Sequence, residues 1–314
     1  MRPLKLGIFL DPSESVDNDG QVTDAKCWHE LRAIAQRVEA LGFDSLWVPD
    51  HLLFRWEGEA GPTTGIWEGW SLLAALAAST NRIELGTLVL CTAFRNPSLL
   101  AKMADTVDEI SGGRLILGLG AGWLEPEYNA FGYPFDHRAS RFAEALTIIT
   151  TLLREGRIDF TGDYYQARDC ELRPRGPRPA GPPILVAGGT PAGPRMLRLG
   201  VERADMWNQW LVWGRSWPDA VPPLRELVDA ACTAAGRDPV SLGRTVAIQV
   251  DFTGKKPEEG SVAMQPLVGN PEELAGAFRG FAREGISHLQ LLPNPGTVAS
   301  LEALAPALEL FDGN

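Results

Sequence analysis

Residues 83–123 read IELGTLVLCTAFRNPSLLAKMADTVDEISGGRLILGLGAGW. Two apolar runs, Ile83–Leu90 and Leu115–Leu119, flank one segment of helical periodicity, Leu99–Ile110. Pro97 stands where that helix should begin, and Ser111, Gly112 and Gly113 break it. Each apolar run leads into small or special residues rather than a charged turn. The pattern predicts consecutive β/α units whose strand ends are shaped to hold a ligand.

The same alternation extends in both directions. Strands are predicted at Leu4–Leu10, Phe43–Val48, Ile83–Leu90, Leu115–Leu119, Pro182–Val186, Ala204–Asn208, Arg244–Phe252 and Ser287–Leu292. Helical segments fall between them: Trp28–Leu41, Trp67–Ser79, Leu99–Ile110, Ala139–Leu153, a short one from Pro194, Leu224–Ala235, Pro271–Arg283 and Val298–Leu310. Strands buried on both faces and alternating with helices describe a closed (β/α)8 TIM barrel, α/β in class, as a single domain over residues 1–314. The rival is an open doubly wound sheet, which usually carries GxGxxG after its first strand; here that strand leads into Asp11, Pro12 and Ser13.

Three stretches exceed the bare barrel, at about residues 54–66, 157–181 and 253–268. The first follows strand two, at the face where barrels bind ligands; it reads as a lid over a pocket or as an ordered surface loop. The second contains RPRGPRP and precedes strand five, so it is a hairpin on the opposite face or an excursion towards the pocket. The third is polar and glycine-bearing, a loop after strand seven.

Composition narrows the function. The formal net charge is -11, with 45% hydrophobic and 22% charged residues. That charge disfavours nucleic acid and anionic membranes, and an anionic ligand needs a local device to hold it. Four cysteines are widely spaced, and four histidines occur without HExxH, so no metal site is expected. The short apolar run at the start is no secretory signal, no stretch approaches a membrane span, and a cytoplasmic location is expected.

The residues after each strand are the ones to inspect. WVPDHLL places Asp50 and His51 at the rim. Histidine exchanges protons near neutral pH, and the adjacent carboxylate need not face it. Strand four ends in GLGAGW, where Gly118, Gly120 and Gly122 either clear space for a flat ring or serve tight packing. VAGGTP offers Gly188, Gly189 and Thr190 ahead of a helix, an arrangement of amides and a hydroxyl that suits a phosphate. Ten tryptophans are many for this length. Trp56, Trp123 and Trp207, with Phe9 at the end of strand one, are candidates for an apolar pocket suited to a planar or hydrophobic substrate. Glu127 is a second proton-transfer candidate, or a salt-bridging loop residue.

Taken together, GFDSLWVPDH, the run from Arg82 to Trp123, EPEYNAFGYPF leading to Arg141 and Phe142, PPILVAGG, ERADMWN and GNPEELAGAFRGFAREGISHLQLL resemble the bacterial luciferase-like superfamily of flavin- and deazaflavin-dependent oxidoreductases. The resemblance implies a flavin-type ring in the C-terminal mouth of the barrel. Leu88 and Val89 would form a bulge behind it, often with a non-prolyl cis peptide. Ala121 and Gly122 would lie along it. Val186, Ala187, Gly188, Gly189 and Thr190 would hold its phosphate end. His51 would stand near the reactive centre, with Asp50 behind.

The central run is closest in wording to the subgroup using the deazaflavin coenzyme F420 (8-hydroxy-5-deazaflavin). This implies hydride transfer between F420 and a small organic substrate of apolar or planar character. The alternative is a monooxygenase using reduced FMN and oxygen; a barrel that only binds its ligand is a third class. Some F420-dependent sugar-phosphate dehydrogenases carry a glutamate where this chain has Trp123, so sugar-phosphate oxidation is not expected. A homodimer and an external flavin or F420 reductase are expectations of the resemblance alone.

Overall fold

The computed structural model describes residues 2–17, 19–55, 61–188, 193–254 and 264–313. The barrel strands are β1 Lys5–Phe9, β2 Ser45–Val48, β3 Glu84–Thr87, β4 Leu115–Gly120, β5 Ile184–Gly188, β6 Met206–Trp210, β7 Gly243–Asp251 and β8 His288–Asn294. They are hydrogen-bonded in the order β5, β6, β7, β8, β1, β2, β3, β4, and β4 also pairs with β5. This is the closed parallel barrel of (β/α)8 type that the alternation predicts. Helices α1 Trp28–Ala40, α2 Gly69–Ser79, α3 Pro97–Ser111, α4 Glu125–Phe131, α5 Arg138–Glu155, α6 Pro194–Arg203, α7 Val221–Ala234, α8 Pro271–Arg283 and α9 Val298–Asp312 complete the alternation. Among the described residues no helix is long and apolar enough to cross a membrane.

The chain packs as two compact units. One comprises residues 1–10, 34–47 and 185–314, the other 11–33 and 48–184. In the first, Gly7 of β1 registers with Ser45 of β2 and Gln290 of β8. A Cβ on Gly7 would stand 2.0 Å from Ser45 Oγ, so only glycine permits the approach. Ser45 Oγ accepts from Trp47 Nε1 at 2.7 Å and lies 2.6 Å from His288 Nε2. His288 is 2% exposed, and burial, with a smaller contribution from Lys5, pushes its pKa down to about 3.

An imidazole that stays neutral when folded but charges when unfolded gives stability that is whole above about pH 6.5. That stability fades as the pH falls towards 3. Between pH 6.5 and 5 the urea-unfolding free energy of the native chain should fall by about 2 kcal/mol more than that of His288→Gln, which lacks the titrating group. Parallel curves for the two proteins would show that His288 is not buried neutral.

In the second unit α3 is delimited as its sequence predicts. Asn96 Oδ1 accepts from the amides of Ser98 and Leu99, Pro97 occupies the first turn, and Gly112 takes the left-handed conformation at φ 67°. The RPRGPRP stretch serves this helix. Arg175 pairs with Asp105 at 3.2 Å, and Arg178 grips Asp108 through Nε (2.9 Å) and Nη2 (2.5 Å). Both aspartates are buried, so the two arginines neutralise charges that α3 would otherwise bury alone. The hairpin preceding this strap pairs Arg157–Thr161 with Gln166–Glu171. It lies along α5, because Glu144 accepts from the amides of Asp163, Tyr164 and Tyr165 at its turn.

The stretch after β2 contains a small antiparallel pair, Leu53–Phe54 with Thr64–Gly65; residues 56–60 lie outside the described residues. Most of the loop expected after β7, residues 255–263, also lies outside them.

Candidate active site

The second unit gathers the exits of β2, β3 and β4 around two networks, one of arginine and carboxylates and one of histidine and carboxylate. Asp50 leaves β2 with its side chain turned into the protein. Its Oδ2 accepts from Cys91 N (2.8 Å) and Arg95 Nη1 (2.7 Å), and its Oδ1 from Arg95 Nη2 (2.8 Å). Arg95 also pairs with Glu68, whose carboxylate caps α2 by accepting from Trp70 N and Ser71 N. Burial pushes the Asp50 carboxyl up, against the Arg95 fork that favours its charged form. Burial works against the Arg95 charge too, but Asp50 and Glu68 outweigh it and leave that pKa raised. Two parallel N–H···O bonds are the geometry of an ionised pair.

His51 points the other way. Its Nδ1 lies 3.0 Å from Glu127 Oε1, and Glu127 Oε2 also accepts from Leu52 N at 2.9 Å. Glu127 is 1% exposed and belongs to α4, so the expectation of a loop residue is corrected: Glu125 and Pro126 start a short helix that turns it inward. The imidazole is flanked by Phe54, 4.7 Å between ring centres, and by Trp123, edge-on at 5.6 Å. Among the described residues, Nε2 has no hydrogen-bond partner. Asp50 and His51, adjacent in sequence, thus answer to different partners.

Below them, Tyr128 Oη donates to Ala121 O at 2.8 Å, which leaves the Cys91 thiol, 2.8 Å away, to donate to Oη. Burial drives both groups upward, Cys91 to about 12, so neither ionises near neutral pH. Gly122 sits over this pair at φ 71°, and a Cβ there would fall 1.9 Å from Tyr128 Oη. Gly122→Ala should therefore cost about 2–4 kcal/mol of stability, through the left-handed backbone and the displaced tyrosine. Thermal denaturation checks this; an unchanged midpoint would mean the turn has room that its geometry denies.

The other two glycines of this strand serve packing. A Cβ on Gly118 would meet Thr87 O at 1.9 Å, and one on Gly120 would meet Val89 Cγ2 at 2.7 Å. They let the Thr87 carbonyl and the Val89 side chain approach β4, so the space they clear is filled by the chain itself. The Leu88–Val89 peptide bond is cis. Leu88 is buried, while Val89, Ala121 and Gly122 are half-buried and Trp123 is exposed.

In the first unit, Phe9 stands edge-on to Trp210 with ring centres 5.9 Å apart. Trp207, expected in the pocket, is instead 2% exposed and lies with its six-membered ring against Gly200 of α6. The strand runs on to Trp210, so Trp207 falls inside it on the helix-facing side, and alternation gives Asn208 and Trp210 the inner face. Val186 faces the same helix; Ala187 is half-buried and Gly188 buried at the end of β5. Gly189, Thr190 and Trp56 lie outside the described residues. The amide-lined phosphate turn is thus described only as far as Gly188.

Sequence reasoning missed Arg95, Glu68, Cys91 and Tyr128. The available signal was a single arginine inside an otherwise apolar strand exit, CTAFRNP, for which a buried charge demands a carboxylate partner.

Comparison with known proteins agrees with this architecture. The model of the family described as luciferase-like monooxygenase matches residues 4–284. A pyrimidine monooxygenase RutA from Cronobacter sakazakii is 35% identical over 66% of this chain and 60% of its own length. An F420-dependent glucose-6-phosphate dehydrogenase from Kineococcus radiotolerans is 32% identical over 80% of this chain and 69% of its own. The matched segment thus spans less than two thirds of the RutA relative. Among solved structures, an F420-dependent secondary alcohol dehydrogenase in complex with an F420-acetone adduct superposes with a TM-score of 0.75 at 19% identity, covering 98% of this chain and 99% of that one. Monooxygenase RslO1 from Streptomyces bottropensis gives 0.72 at 22%, covering 98% and 99%. The chain belongs to the luciferase-like monooxygenase family.

Proposed function

We propose that the protein is a flavin-dependent monooxygenase acting on a small organic molecule of planar or apolar character, with His51 as its proton-transfer group. The observation that carries the reading is the His51–Glu127 couple. The buried Glu127 carboxylate engages Nδ1, which leaves Nε2 as the imidazole atom that can exchange a proton with a substrate. The rings of Phe54 and Trp123 shield that imidazole from water.

A flavin-type ring fits the half-buried face of Val89, Ala121 and Gly122, which is apolar, lacks bulky side chains at two of its three positions, and lies within the unit that carries His51. When bound, reduced FMN supplies the electrons and activates dioxygen. The chain's own residues have narrower tasks. Val89 and Ala121 support the ring, His51 takes a proton from the substrate at Nε2, and Glu127 steadies the imidazolium that results. Arg95 and Asp50 hold the β2 exit on which His51 rides.

The similarity to pyrimidine monooxygenases favours FMN. Trp123 bears on the substrate: an indole is no proton donor at neutral pH in the place where some F420-dependent sugar-phosphate dehydrogenases carry an acid, which disfavours sugar-phosphate oxidation. The second reading is F420-linked hydride transfer, favoured by the F420-dependent relative that aligns with 80% of the chain. Photoreduced FMN and reduced F420 should be titrated anaerobically and followed by ring fluorescence, then exposed to labelled dioxygen with a panel of heteroaromatic substrates. The proposal expects tighter binding of FMN and label in the product. Tighter F420 binding with unlabelled product would replace it with the second reading.

A further inference from the structure

Helix α4 carries two successive buried residues, Glu127 and Tyr128, at 1% and 0% exposure. Neighbours on a helix stand about 100° apart around its axis, so the two address different partners. Glu127 reaches the exit of β2, at His51 Nδ1 (3.0 Å) and Leu52 N (2.9 Å). Tyr128 reaches the exits of β3 and β4: its Oη lies 2.8 Å from Cys91 Sγ and donates to Ala121 O at 2.8 Å. The phenol ring is locked in place. Phe94 packs tilted against it at 5.0 Å between ring centres, and Phe135 edge-on at 5.2 Å. The amide of Tyr133 returns to Tyr128 O at 2.8 Å and closes the helix around Gly132, at φ 76°. The hydroxyl is thus placed by the core of the second unit, while the segment it holds, residues 121–124, has no regular structure of its own.

The Ala121–Gly122 peptide is trans. In a trans peptide the carbonyl and the N–H point to opposite sides. With the Ala121 carbonyl drawn onto the tyrosine, Gly122 N–H is turned away from it, and Gly122 is half-buried rather than covered. Glycine itself imposes little steric preference on the orientation of this peptide, so the hydroxyl selects it. We propose that Tyr128 is the positioning residue for the cofactor ring: it holds the Ala121 carbonyl back and presents Gly122 N–H as a hydrogen-bond donor to an acceptor on the ring's pyrimidine edge. The role rests on the proposed seat of the ring at Val89, Ala121 and Gly122. The same short helix fixes Glu127 against His51, so ring and proton-transfer group are set by one element. A fixed donor counts most for the reduced ring, whose pyrimidine portion carries more negative charge, because hydrogen bonds to a charged acceptor are about twice as strong as neutral ones.

Tyr128→Phe removes one oxygen and keeps the aromatic packing. Oxidised and anaerobically reduced FMN should be titrated into the native chain and the variant, with circular dichroism to check the fold; F420, which has the same pyrimidine edge, takes the place of FMN if it binds more tightly. The Kd of the reduced ring should rise about tenfold in the variant, and that of the oxidised ring only about threefold. Equal weakening of both forms would make the tyrosine a structural residue only, and unchanged affinities would mean that the peptide is set without it. Either result overturns the role of Tyr128 and leaves the seat of the ring standing. A native chain that binds neither FMN nor F420 would remove that seat, and the role of Tyr128 with it. Should the variant not fold, crystals of the native chain with the ring bound decide. Gly122 N is expected within about 2.7–3.2 Å of a ring oxygen or nitrogen. An Ala121 carbonyl facing the ring, or no ring acceptor within reach of that amide, would overturn the assignment.

Discussion

His51→Ala lowers turnover by about 10²–10⁴-fold while leaving ring binding within about tenfold of the native protein. The expectation follows from where the side chain's two nitrogens go. Nδ1 is committed to Glu127 at 3.0 Å, so all the proton traffic falls to Nε2, and among the described residues no other imidazole stands at this rim. A group that only shaped the pocket would raise KM when removed; one that moves a proton in the slow step lowers kcat. Glu127→Gln is the companion. The amide can donate as well as accept, so the opposite tautomer becomes available, and turnover should drop by about 10²-fold although nearly every contact survives. Steady-state kinetics on the substrate found by the oxygen-labelling screen, with ring fluorescence for affinity, separates the two parameters. Equal turnover in His51→Ala and native protein would remove His51 from the chemistry.

Arg95→Ala should be among the most destabilising single changes in the second unit, at about 3–5 kcal/mol in chemical denaturation. The Asp50 side chain has no solvent exposure, and Arg95 supplies two of its three hydrogen bonds. Without the guanidinium the carboxylate keeps only the Cys91 amide, and burial then favours its protonated form. Glu68 also loses its ion-pair partner, though it is more exposed and still caps α2. Asp50→Asn on the Arg95→Ala background should recover part of the loss, because the amide has no charge to desolvate. Strict additivity of the two changes would mean that the pair is not coupled as its geometry requires. The same variant should lower turnover beyond its effect on stability, since residue 50 adjoins His51.

The barrel was legible because its signals are periodic and local. The run from Ile83 to Trp123 contains a strand, a helix and a second strand, with Pro97 and Gly112 marking the helix boundaries that the structure adopts. His51 stood out because few histidines follow a strand. What escaped the sequence was pairing across distance. Nothing between residues 51 and 127 says that Glu127 turns back onto His51, since that depends on α4, a short helix within a stretch read as loop. Arg95 with Asp50, and Arg178 with Asp108, are likewise long-range matches of buried charge. Trp207 shows the cost of a strand end misplaced by two residues: the residue read as rim is core, and Trp210 takes the inner face. The glycines of GLGAGW could be ligand space or tight packing in the sequence, and at positions 118 and 120 they make room for the Thr87 carbonyl and the Val89 side chain.

The proposed function places a flavin-type ring on Val89, Ala121 and Gly122 with His51 at its reactive edge. A crystal structure of the protein with FMN or F420 bound measures this most directly. The ring should lie in van der Waals contact with Val89 and Ala121, with His51 Nε2 open towards the substrate side. A ring bound away from these residues, or His51 Nε2 turned from it into the protein, would rule this placement out.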